Sequence, residues 1–264
     1  MKKKLVAFML VISMLAVAVV GGTLAYFTDE DYAENVMTIG NVDIEQTEWQ
    51  RDGEGGFEEF EQNKLLMPGV YDSVSASKQV YFNDEDTLNI ADGNAWCDFW
   101  DPAGRVPTEN AVDKIVVVEN TGDNDVFYRT LVAIETTEAV GTKVVDGDYS
   151  HDVIYNFNSN NRFDRILHEV VEINGQNYAI IEFQYNVVLE PGEMSRPSLL
   201  QFMLSKDMTQ EDVAGYNGSL EVLCLSQAVQ ADGFNGDAAA ALEAAYGDVM
   251  ENVVDWFMEY VPQA

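Results

Sequence analysis

The sequence predicts an all-β protein, a jelly-roll-like antiparallel β-sandwich with short C-terminal helices. Short segments of alternating or β-branched apolar residues recur along the chain. Turns bearing Gly, Pro and Asn separate them, which favours a sandwich or jelly roll over an α/β fold. Helical spacing enters only at the tail, from Asp237 onward.

The elements follow in order. Thr38 to Ile44 alternates after a short acidic lead-in and reads as a half-buried strand. Residues 51–63 are rich in Gly and Glu and read as a solvated loop. Pro68-Gly69 is a turn, and Val74 to Phe82 is a candidate strand. Residues 83–111 are acidic and turn-rich, with Trp96, Phe99 and Trp100 near Cys97, and read as a surface insertion. Ile115 to Val118 and Val126 to Glu135 flank the tight turn Asn120-Thr121-Gly122-Asp123, which reads as a hairpin. Tyr178 to Leu189, ended by Pro191-Gly192, and Ser198 to Leu204 are further strands.

Leu220 to Ala231 is the last strand. Leu220, Val222, Cys224, Ser226 and Ala228 share one face. Glu221, Leu223, Leu225, Gln227 and Val229 share the other. Apolar residues on both faces predict a central, covered strand. Asp237 then caps a helix through residues 238–243, and Gly247 breaks it. In the second helical stretch, Val249 to Tyr260, the residues Val253, Trp256, Phe257 and Tyr260 are spaced to share one face, expected to pack on the protein's own domain, with a partner-binding helix as the alternative.

The first 25 residues have the three-part layout of a secretory leader. Lys2, Lys3 and Lys4 precede the apolar run Leu5 to Val20, and Thr23-Leu24-Ala25 supplies small residues before a cut between Ala25 and Tyr26. The run is shorter than the roughly 20 residues that span a bilayer as a helix. The expected organisation is therefore a signal peptide (1–25), a β-sandwich domain (26–236) with the insertion 83–111, and a helical tail (237–264). The expected location is outside the cytoplasm, with no membrane attachment after processing.

The chain carries 14 basic and 46 acidic residues, and three of the basic ones lie in the leader. This acidic excess argues against nucleic acid, whose binding needs a basic surface, and favours solubility and loose attraction for divalent cations. Apolar content of 47% excludes general disorder. Cys97 and Cys224 are far apart in sequence; they either pair or stay free, and a buried thiol suits the apolar strand around Cys224.

Catalytic patterns are scarce. His168-Glu169-Val170-Val171-Glu172 starts like a zinc-protease helix, but Glu172 stands where the second imidazole belongs. His168 therefore reads as a surface residue beside acids. No Gly-x-Ser-x-Gly, Cys-x-x-Cys or P-loop occurs. Among the carboxylate runs, Asp84, Asp86, Asp123 and Asp125 are the calcium candidates, although none has EF-hand spacing and each reads first as a solvated loop. Asn217-Gly218-Ser219 is a formal glycosylation sequon and reads as a turn. No enzyme activity and no cofactor other than calcium is expected.

Four segments carry a resemblance. Gly21 to Asp29 runs into Val36 to Ile44; Asn120-Thr121-Gly122 leads to Tyr128-Arg129; Leu189-Glu190-Pro191-Gly192-Glu193 is a turn; Ala228-Val229-Gln230-Ala231-Asp232-Gly233-Phe234 ends a strand. Together, in this order, they resemble the TasA/camelysin (CalY) family of exported bacterial proteins, whose leaders a SipW-type signal peptidase removes. The resemblance implies a jelly-roll sandwich and a structural role at the cell surface or in biofilm matrix fibres. It implies as partners further copies of the chain, other matrix proteins and the signal peptidase. It also implies that an N-terminal segment of one subunit completes the sheet of the next. Here that donor segment lies within Tyr26 to Ile44, with Tyr26, Phe27, Val36, Ile39, Val42 and Ile44 as candidate residues. The insertion 83–111 and the C-terminal helices depart from the family pattern. The alternatives are a cell-surface adhesin or ligand-binding module, and a camelysin-type metalloprotease, against which the incomplete zinc pattern counts.

Overall fold

A computed structural model describes residues 28–32, 35–36, 42–51, 57–66, 68–69, 112–145, 153–157, 162–205, 208–216 and 219–260. The leader, the Ala25–Tyr26 junction, the strand expected at 74–82 and the insertion 83–111 lie outside the described residues, as does Cys97.

The described strands are β1 (Thr28–Tyr32), β2 (Asn35–Val36), β3 (Ile44–Arg51), β4 (Phe57–Glu59), β5 (Pro68–Gly69), β6 (Val112–Asp113) and β7 (Ile115–Asn120). They continue with β8 (Val126–Glu135), β9 (Val153–Phe157), β10 (Phe163–Ile173), β11 (Gln176–Tyr185), β12 (Leu199–Ser205) and β13 (Val222–Gln230). The helices are α1 (Gln210–Gly215), α2 (Ala238–Tyr246) and α3 (Val249–Tyr260).

One sheet runs β10-β11-β8-β13-β1-β2, with every neighbouring pair antiparallel. Two smaller sheets, β4-β3-β7 and the group around β12, make the opposite layer. Backbone bonds join these two: Lys114 N to Leu200 O at 2.9 Å, Ser198 N to Val116 O at 3.0 Å and Ser195 N to Val118 O at 2.7 Å. Within this layer β5 runs parallel to β12, against the antiparallel rule of the rest.

Side chains of the two layers meet in one core. Val116 and Val118 of β7 and Phe202 of β12 pack with Tyr128 and Val132 of β8, Phe183 and Tyr185 of β11, and Cys224 of β13. Tyr128, Phe163 and Tyr185 form its aromatic centre, with the Tyr128 and Tyr185 rings 5.0 Å apart and Phe163 set edge-on to Tyr128 at 87°. The expected all-β sandwich is therefore the fold.

Every residue of β8 is buried. A strand alternates its side chains between two faces, so total burial requires cover on both. The second cover is helical. Leu131, Ala133, Ile180, Leu223 and Leu225 lie under Val249, Val253 and Phe257 of α3, while Phe127 and Val229 lie under Ala238, Ala241 and Leu242 of α2. The face assignment expected for β13 holds, since Cys224 and Ala228 enter the inter-sheet core while Leu223, Leu225 and Val229 meet the helices. Asp237 caps α2 by accepting from Ala240 N at 3.0 Å, and Gly247 ends it at φ 79°, a backbone state that favours glycine.

The hairpin expected at Asn120 is overturned. β7 pairs with β3, and β8 pairs with β11 and β13, so the two strands belong to opposite layers. Thr121 N and Gly122 N both bond to Asp43 O at 3.0 Å, which turns the chain across the sandwich rather than back along its own sheet. The expected loop 51–63 contains β4, which pairs with β3 through Trp49↔Glu59 to Arg51↔Phe57.

Phe257 is fully buried between α3 and the sheet. Phe257→Ala is expected to lower unfolding free energy by about 3–5 kcal/mol in urea titration, whereas truncating its half-exposed neighbour Met258 changes it by less than about 0.5 kcal/mol.

Candidate functional site

Strand β1 lies against β13 in a defined register: Thr28↔Val229, Asp29↔Ala228, Glu30↔Gln227 and Asp31↔Ser226. On its other side β13 is paired with β8 along its whole length, from Val222↔Ile134 to Gln230↔Val126. Removing β1 would therefore open one side of a strand that stays fixed by the other.

Around the far end of β13, Asn120 knits three segments together. Its buried side chain donates to Asn124 O at 2.8 Å and Leu189 O at 2.9 Å, and accepts from Gly122 N at 3.0 Å. Its backbone donates to Glu193 O and accepts from Gly192 N. Gly192 has φ 76°, and the Glu193 carboxylate closes the same turn by accepting from Glu190 N at 2.8 Å. Val126 and Leu189 exchange backbone bonds, and Ala231 N donates to Asp125 O at 2.8 Å. The Asn120 turn, the Pro191-Gly192 turn, the end of β13 and the start of β1 are thus neighbours at one pole of the sandwich.

Polar groups are buried on both faces of β13. On the helix side, Arg129 Nε donates to Gln227 Oε1 at 2.9 Å, and Arg129 Nη1 lies 3.4 Å from Glu182 Oε1. His168 Nε2 lies 2.9 Å from the other Glu182 oxygen. The guanidinium carbon sits 5.6 Å from the Tyr246 ring and 5.2 Å from the Trp256 ring, so α2 and α3 roof the charge with aromatic faces. On the inter-sheet side, Ser226 Oγ donates to Gln46 Oε1 at 2.6 Å and lies 2.9 Å from Thr130 Oγ1, while Gln46 Nε2 donates to Cys224 O at 3.3 Å. Lys114 pairs with Glu48 in the same interior and lies over the Phe60 ring.

Burial shifts two acids upward. The Cys224 thiol is free and buried, and desolvation pushes its pKa well above the usual thiol range. Desolvation likewise raises Tyr128.

The candidate residues from sequence are placed unevenly. Tyr26, Phe27 and Ile39 lie outside the described residues, as do Asp84 and Asp86. Val36 stands in β2, opposite Asp31. Val42 and Ile44 are buried in the inter-sheet core, and Ile44 opens β3. Asp123 and Asp125 sit in the crossover turn, and among the described residues no three His, Cys, Asp or Glu side chains gather as metal ligands would. His168 lies on strand β10 rather than a helix, and its side chain is largely covered beside Glu182, which corrects the surface reading. A register shift in β10 between Leu167 and Val170 accompanies this placement, as bulges re-aim side chains.

Sequence reasoning missed β1 as a strand and the Arg129–Glu182–Gln227 group. The visible signal for the latter was a charged or amide residue inside each of three mostly apolar strands. No protein-family model, curated protein or solved structure matches the chain.

Asn120→Ala removes three side-chain hydrogen bonds at once, and is expected to cost about 2–4 kcal/mol in urea unfolding. For Cys224 the unfolded thiol ionises near pH 8.5. The folded thiol does so higher, so above that pH the native state holds the extra proton and stability falls as pH rises. Between pH 8.5 and 10 the wild type is expected to lose up to about 1.4 kcal/mol per pH unit relative to Cys224→Ala, read as diverging urea midpoints.

Proposed function

We propose that this chain is an exported structural protein of the cell surface or biofilm matrix, which assembles into fibres by N-terminal strand donation. The observation that carries the reading is the place of β1. It is the first described strand, it stands on the open side of β13, and its register there is defined. The backbone bonds that β1 makes within its own chain are the bonds it would make on a second copy. Such pairing is head-to-tail, so growth is open-ended.

The resemblance to the TasA/camelysin family supports this reading. The described parts of the segments that carry it lie close together: Thr28–Asp31 pairs with β13, and the Asn120 and Pro191-Gly192 turns stand beside the end of that strand. In this reading cleavage after Ala25 frees the strand for donation. The acidic excess makes copies repel one another, so screening by salt promotes assembly.

N-terminal sequencing of the secreted protein is expected to start at Tyr26. The protein starting there is expected to form filaments on electron micrographs, more readily at higher salt, and deletion of residues 26–35 is expected to abolish them. A protein that stays monomeric across salt, calcium and pH, or filaments that survive the deletion, would overturn the proposal.

A further inference from the structure

The β1 side of β13 is longer than the strand that occupies it. β13 runs from Val222 to Gln230, but β1 is registered only against Val229 to Ser226. After Tyr32 the chain turns back, since β2 pairs with β1 through Asp31↔Val36 and Tyr32↔Asn35. Among the described residues, no strand stands beside Val222 to Leu225 on this side.

That stretch presents main-chain groups for pairing. Glu221 O faces β8, where it accepts from Glu135 N. Successive residues of a strand turn these groups to opposite sides, so Val222 and Cys224 present theirs to the β1 side. Cys224 O accepts from Gln46 Nε2 at 3.3 Å, a side chain of β3 in the opposite layer. A side-chain amide thus stands where the main-chain amide of a neighbouring strand would.

Chain length accounts for the short pairing. Carried straight on in the same register, β1 would bring Asn35 opposite Val222. Asp43 is fixed toward the opposite end of β13, where its carbonyl takes the amides of Thr121 and Gly122. β13 is about 26 Å long, and the opposing layer lies about 10 Å away. The chain from Asn35 to Asp43 reaches at most about 28 Å when fully extended. Within one copy, a straight strand would therefore leave almost no slack for the return to β3. A strand given to another copy has no such return to make.

We propose that the donated strand is longer than the one paired within the chain: residues 28–35 of one copy run straight along β13 of the next, with Tyr32 to Asn35 set against Leu225 to Val222. The main-chain amide of Ala33 then takes the place of Gln46 at Cys224 O. The β1–β2 hairpin opens, so two pairs within the chain are exchanged for four on the second copy. This rests on the strand-donation reading above and gives donation its direction, because pairing between copies uses more of β13 than closure within one copy.

The test uses the full chain beginning at Tyr26 and compares hydrogen exchange in monomer and filament. The amides of Val222 and Cys224 report the added pairing, and those of Ser226 and Ala228 report the pairing already present. Val222 and Cys224 are expected to exchange about tenfold or more slowly in filaments than in the monomer. Ala33→Pro removes the amide that would meet Cys224 O and leaves residues 28–31 unaltered. It is expected to raise the critical concentration for filaments about tenfold, with Ser226 and Ala228 still protected in its monomer. Filaments in which Val222 and Cys224 exchange as fast as in the monomer would overturn the inference and leave strand donation standing. Unimpaired assembly of Ala33→Pro would do the same. If that variant loosens β1 in the monomer, the exchange pattern of the parent decides alone. A parent that forms no filaments would sink the donation reading, and this inference with it.

Discussion

The burial of β8 on both faces is the constraint on which the rest of the molecule depends. Its ten residues are all covered, and no single sheet contact can do that. One face calls for an opposing sheet, supplied by β3, β7, β9 and β12. The other calls for the two C-terminal helices. The sandwich thus becomes three layers deep around its centre. The tail is part of the hydrophobic core, because Val253 and Phe257 are as buried as the strands they cover.

Much of this was legible wherever local pattern and final environment agree. The two-sided alternation of residues 220–231 predicts a central strand because β13 is central. Asp237 and Gly247 mark helix ends through chemistry that acts within one turn of chain. Legibility failed where a distant partner decides. Asn120-Thr121-Gly122-Asp123 has hairpin chemistry, but the Asp43 carbonyl captures its amides and sends the chain to the other layer. Thr-Asp-Glu-Asp-Tyr has few strand formers, so only pairing with β13 makes β1 a strand. In β10 the register shift breaks the alternation from which a strand is read. The Arg129–Glu182–Gln227 group behind β13 was likewise not legible, because its members meet only when three strands pair.

The polar residues buried beside β13 limit what the interior can accept. Gln46, Thr130 and Ser226 are hydrogen-bonded to one another between the sheets, and Arg129 is bonded to Glu182 and Gln227 beneath the helices. A purely apolar interior tolerates many packings of similar volume, whereas linked donors and acceptors tolerate few. Placing such groups on both faces of one strand fixes its position against β8, and so holds its other side in a constant geometry.

The pairing of β1 with β13 also orders events in time. The first described strand of the chain docks on the last, so the contact closes nearly the longest loop that the chain can make. Such distant contacts form late in folding. A chain made from its N-terminus carries β1 without its β13 partner until β13 has formed. Between the formation of β13 and the docking of β1, the strand and the edge that fits it are both open.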